Sequence, residues 1–194
     1  MKRKKLKIAL VAAALVIICS VVFYRMNFPL DFNVSVLEQT VTEFLTHDNE
    51  PVPTVKFLGT GVYLYKTEYY IISVDGRFGY VKLKEGTFGR HRIEHVSTGS
   101  GEFRTGIVES AGKKFLLFAG MDYGGYISDI KLELQGHTYE LPLGKRREHS
   151  PFLTYCEISS EITQQHVDLE NIWFYDAEGT DITENYNLSG GIFQ

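Results

Sequence analysis

The run His91-Arg92-Ile93-Glu94-His95 holds the densest set of chemically active side chains in this chain. Its spacing is H-x-x-E-H. On a helix, residues four apart share a face, so the two imidazoles can meet one Zn²⁺ with the glutamate beside them as base. That chemistry requires the helix, and here Gly89 and Gly99 bracket a stretch that reads as a strand. On a strand, His91 and His95 still share a face while Glu94 points the other way. The expectation is a solvated strand face, with no metal assigned. A second pattern, Ser110-Ala111-Gly112-Lys113, has the S-x-x-K spacing that activates a serine at the start of a buried helix. In this chain it spans a hairpin turn, and no catalytic residue is assigned.

The strand around Cys156, FLTYCEIS, looks slightly like the Thr-x-x-Cys strand of sortases, which are also N-terminally anchored, exported β-barrels. That resemblance implies a thiol nucleophile served by a histidine and by an arginine on a later strand. No arginine follows Arg147, so the pattern departs where it matters. A thiol without a neighbouring cation stays near its ordinary pKa and attacks poorly. Alternation puts Cys156 on one face with Phe152 and Thr154, as a small core residue. Asp176, Glu178, Asp181 and Glu184 gather around Gly179 without the spacing of a calcium loop, and read as a tight acidic hairpin. There is no P-loop, no G-x-S-x-G and no G-x-G-x-x-G, and no cofactor is expected.

Two loops have the composition of binding surfaces. Met121-Asp122-Tyr123-Gly124-Gly125-Tyr126 sets tyrosines, which are rigid and amphipathic, on a pliant glycine backbone. Lys145-Arg146-Arg147 is the only basic run of the exported part and suits an acidic partner or lipid phosphates. Asp122, Tyr123, Tyr126, Lys145, Arg146 and Arg147 are therefore the candidate partner-binding residues. Tyr63 and Tyr65 share a strand face and form a possible tyrosine patch.

The elements that must carry these residues begin with an anchor. The chain opens MKRKKLK and then runs uncharged from Ile8 to Tyr24. Seventeen helical residues cover about 25 Å, and flanking Lys7 and Arg25 can reach the headgroups. The basic excess before the span puts Met1 in the cytoplasm and the rest outside. A cleaved signal would end in small residues, and this run ends Val21-Val22-Phe23-Tyr24, so a retained anchor is expected. Residues 1–26 read as basic tip and anchor, 27–53 as juncture and amphipathic helix, and 54–194 as the exported β domain. The helix, about 35–46, follows from Val34, Leu37, Val41, Phe44 and Leu45, with Ser35 and Glu38 at capping-box spacing. From there on, β-branched and aromatic runs alternate with turn signals every 8–12 residues, Asp75-Gly76 and Ala111-Gly112 among them.

Beyond the anchor the chain has 24 acidic and 14 basic side chains, a net of −10. That charge argues against nucleic acid, anionic lipid headgroups or acidic wall polymers as bulk electrostatic partners. Cys156 is the sole cysteine there, so no internal disulfide forms, which suggests a bacterial setting. The expected fold is all-β: a single antiparallel sandwich or open barrel of about nine to eleven strands, after one short helix and a transmembrane helix. The plan resembles small anchored surface proteins of Gram-positive bacteria. The expected function is a non-enzymatic binding or accessory module, membrane-held, with a protein partner at the cell surface. The alternative is a small exported hydrolase whose His/carboxylate site, drawn from His91, His95 or His137, is assembled by the fold.

Overall fold

The computed structural model describes residues 2–31, 33–46, 51–143, 150–164, 167, 169–186, 188, 191 and 192. Helix α1 (Lys2–Asn27) is the apolar one, and its Leu10–Asn27 stretch is long and apolar enough to cross a membrane. Strand β1 (Leu30–Asp31) and helix α2 (Val34–Leu45) follow. The N-cap of α2 is Asn33, whose Oδ1 accepts from the Ser35 N–H at 3.0 Å, and not Ser35 itself. Glu38 is thereby released from a capping box and accepts the backbone N–H of Phe57 at 2.8 Å.

Strands dominate the rest, with twelve among the described residues, two of them only two residues long. They are β2 (Val55–Leu64), β3 (Thr67–Val74), β4 (Arg77–Glu85), β5 (Arg90–Thr98), β6 (Phe103–Ser110), β7 (Lys113–Asp122), β8 (Asp129–Leu134), β9 (His137–Pro142), β10 (Ser150–Ile158), β11 (Ile172–Tyr175) and β12 (Gly191–Ile192). Hydrogen bonding orders them into three sheets: β1-β5-β4-β3-β2, β10-β7-β6-β12 and β11-β8-β9. Every pair is antiparallel except β12 with β6. Three of the hairpins turn on a residue and glycine that both have positive φ: Asp75-Gly76, Ala111-Gly112 and Gln135-Gly136. This two-residue turn matches the strand twist, and glycine accepts its second position without strain.

Three apolar clusters show how the layers stack. Leu37 and Val41 of α2 are fully buried against Ile72, Val81 and Leu83, so the helix docks on one face of the first sheet. The other face, with Tyr69, Ile71 and Tyr80, packs on Phe115, Leu117 and Ala119 of β7. Leu116 and Phe118, the alternate residues of β7, face Ile130, Leu132 and Phe174 of the third sheet. A strand covered on both faces must read as an unbroken apolar run, and Phe115-Leu116-Leu117-Phe118-Ala119 does.

Candidate functional site

Consecutive hairpins send alternate turns to opposite ends of the strands. At one end lie the β2–β3 and β6–β7 turns, tied together by Ser110 Oγ donating to the Leu64 carbonyl at 2.9 Å. The β4–β5 loop joins them, with Glu85 N–H donating to the Lys66 carbonyl at 2.8 Å. At the other end, roughly 26 Å away along the nine residues of β4, three turns surround a pocket. These are Asp75-Gly76, Gly99–Glu102 and the segment from Met121.

The segment is built by Asp122. Its carboxylate is fully buried, and accepts from the N–H of Gly125 and of Ile127, each at 3.0 Å. The Tyr186 hydroxyl donates to it at 3.0 Å. A buried carboxylate needs such donors, and here they curl residues 122–127 into a fixed loop. Asp122 has no surface to offer a partner; its work is to hold Tyr123 and Tyr126 outward, both exposed. At Gly124 the chain passes close to the Tyr126 ring, which would have to swing aside for a Cβ there.

The pocket measures about 320 Å³, and Tyr123 and Met121 form one wall. Leu58 and Phe78 add apolar surface, while Arg77, Ser73, Ser100 and Glu102 add polar groups. Behind the Gly99–Gly101 turn lies Arg104, one of the most buried side chains in the molecule. Its guanidinium donates to the carbonyls of Phe103 (2.7 Å), Phe78 (3.0 Å) and Gly101 (3.3 Å), and stands over the Phe78 ring. Burial pushes its pKa below the ordinary guanidinium value. Among the described residues no carboxylate forms a salt bridge with it, so the pocket has a positive charge behind its floor. A side chain would fit poorly at Gly99, where a Cβ would come within 3.1 Å of Arg104. The arrangement suits a ligand with an apolar body and an acceptor or anionic group.

The other residues singled out from sequence fall elsewhere. Lys145, Arg146 and Arg147 lie outside the described residues. The strand alternation expected for His91 and His95 is broken. Lys82 faces His95 and Leu83 faces Ile93, so Glu94 is the extra residue of a β-bulge. The bulge turns the two histidines to opposite faces of the sheet. His91 is 4% exposed and lies 3.1 Å from Glu68, which also accepts the Tyr70 hydroxyl at 2.8 Å. His95 packs on Tyr80, on the face where Glu94 meets Lys82, Lys84 and Arg92. Burial opposes ionisation of Glu94, yet these three cations together hold its carboxyl below the usual range. One metal ion cannot reach both imidazoles. Among the described residues no three His, Cys, Asp or Glu side chains group to hold one.

Cys156 faces the third sheet with Phe152 and Ile158, and burial pushes its thiol up to about 11. Ser110 and Lys113 pair across the β6–β7 turn but bond elsewhere, Lys113 to Glu157 at 2.7 Å. In the acidic hairpin, Asp176 accepts the N–H of Glu178 (3.0 Å) and Thr180 (2.8 Å), so its carboxylate closes the turn. Tyr63 and Tyr65 are exposed, while Tyr69 and Tyr70 turn inward. No family model matches the chain, and neither a curated protein nor a solved structure does. Sequence reasoning passed over Arg77, Phe78, Glu102 and Arg104. The only signal for them was parity: in a meander every second turn shares an end.

Proposed function

We propose that this chain is a membrane-anchored, sandwich-like β domain that binds a protein partner outside the cytoplasm and catalyses nothing. The observation that carries the reading is the Asp122-built loop, which displays Tyr123 and Tyr126 beside a mixed polar and apolar pocket. Exposed tyrosines on a braced loop give contact area at low entropic cost. The pocket opens at the end of the strands away from α1, where a partner meets no steric conflict with the bilayer. Retention of the helix is supported by its last turn and the residue after it, which pack into the domain: Tyr24 donates to the Thr87 carbonyl, and Arg90 donates to the Phe28 carbonyl at 2.7 Å. The lysines before the span favour a cytoplasmic N-terminus. For the hydrolase alternative, the described His/carboxylate pair is Glu68 with His91, largely withdrawn from solvent and absent from the pocket lining.

A photo-crosslinking amino acid placed at Tyr126 in intact cells tests the reading, with one at Tyr155, exposed midway along β10, as the control. The expected result is one adduct of defined mass from position 126 alone, lost when Tyr123→Ala is added. Equal adducts from both positions, or none from either, refute the assignment.

A further inference from the structure

We propose that the loop Gly86–Gly89 is a second membrane contact, with Phe88 inserted among the lipid headgroups beside the end of α1. The inference rests on the reading of α1 as a membrane anchor. Phe88 is 90% exposed and holds φ 60°, ψ 30°, the left-handed region that bulky side chains rarely enter. Displaying a phenyl ring in water on a strained backbone is unfavourable twice over. Lipid around the ring removes the first of those costs.

The loop is fixed at one height relative to α1. The Tyr24 hydroxyl donates to the carbonyl of Thr87, and the Tyr24 ring meets Phe88 edge-on at 6.4 Å. Gly86 lies so close that a Cβ there would come within 2.7 Å of Phe28 and Tyr24. Arg90 donates to the carbonyls of Phe28 (2.7 Å) and Pro29 (2.5 Å) and to Asp31 (2.8 Å), while Arg92 stands over the Phe28 ring. Pairing of β1 with β5 completes the clamp. Helix and domain therefore move as one body at this junction.

That height is the interface. The apolar stretch of α1 ends at Asn27, and its last turns expose Phe23 and Met26. A ring held beside Tyr24 sits where aromatic residues collect at the headgroup level. Arg25, the residue after Tyr24, is a cation at the same level of the helix and suits the phosphates there. A protein occupant would need its own surface inside the headgroup layer, whereas lipid is already present. The loop brings an interfacial aromatic from sixty residues downstream and rests the domain on the bilayer, which sets the pocket's distance from the membrane.

The test uses full-length protein in lipid vesicles. Trp173 is the only tryptophan, so Phe88→Trp and, separately, Phe23→Trp are made with Trp173→Phe. If that background does not fold, Trp173 is kept and its signal subtracted. The expected result is blue-shifted Phe88→Trp emission, quenched by headgroup-proximal brominated lipids as strongly as that of Phe23→Trp. Lipid quenching of Phe23→Trp alone, with Phe88→Trp quenched only by aqueous acrylamide, overturns the inference and leaves the anchor standing. Blue-shifted Phe88→Trp emission that no lipid quenches overturns it in favour of a protein neighbour. Lipid quenching at neither position overturns both readings.

Discussion

Replacing Asp122 by alanine should unfold the chain at a markedly lower temperature and also abolish partner capture, although Asp122 itself touches no solvent. Among the described residues its carboxylate satisfies three donors. The bond from Ile127 is buried, and losing a charged acceptor there costs about 2–3 kcal/mol. Gly125 N–H and the Tyr186 hydroxyl are partly buried and can turn toward water, so each adds about 0.5–1 kcal/mol. The total is about 4 kcal/mol. In a protein of this size each kcal/mol moves the midpoint by about 2–4 °C, so the expected drop is about 8–16 °C. Trp173 fluorescence of the full-length protein in micelles reports it, since Trp173 adjoins Phe174, which stacks edge-on with Tyr186. Asp129→Ala, an exposed carboxylate two residues after the loop, is the control and should move the midpoint by under about 2 °C. If Asp122→Ala unfolds with the control, the carboxylate does not organise the loop and the site assignment loses its basis.

Phe103→Ala removes the ring on which Phe118, Phe152, Phe174 and Tyr186 converge, and should cost about 3–5 kcal/mol in urea unfolding, with Phe103→Leu costing less. The Cys156 thiol should alkylate far more slowly than a free thiol at pH 8, measured in a Cys19→Ser background, because with a pKa of about 11 only about 0.1% is thiolate. The folded chain keeps that proton where the unfolded chain has lost it, so stability should fall as pH climbs from about 9 toward 11. Cys156→Ala should flatten the fall between about 9 and 10, below the onset of Tyr69 and Tyr70, whose phenols burial also raises. Gly86→Ala should push the Thr87–Phe88 tip off the helix end, read as a loss of lipid quenching at Phe88→Trp while the midpoint stays within about 3 °C.

Much of the molecule was legible along the chain because it rests on local rules. The apolar span, the amphipathic face of α2 and the Asp75-Gly76 and Ala111-Gly112 turns each follow from residue type and spacing within a dozen positions. Cys156 followed the alternation expected of it. Reasoning by alternation failed on His91 and His95, since a bulge shifts parity by one and leaves no mark in composition. It failed at the cap of α2 as well, where Asn33 and Ser35 were equally eligible and Glu38 found a partner on a distant strand.

The sequence by itself determined which segments extend, which turn and which one is apolar enough to leave water, because those choices depend on backbone sterics and on transfer from water. Only the tertiary structure decided that Asp122 lies inside the loop it appeared to display, that Arg104 backs a pocket made from three turns, and that Phe88 stands beside Tyr24. Each of these joins residues far apart in the chain, and their meeting is set by sheet order and hairpin parity, neither of which is written in any local pattern.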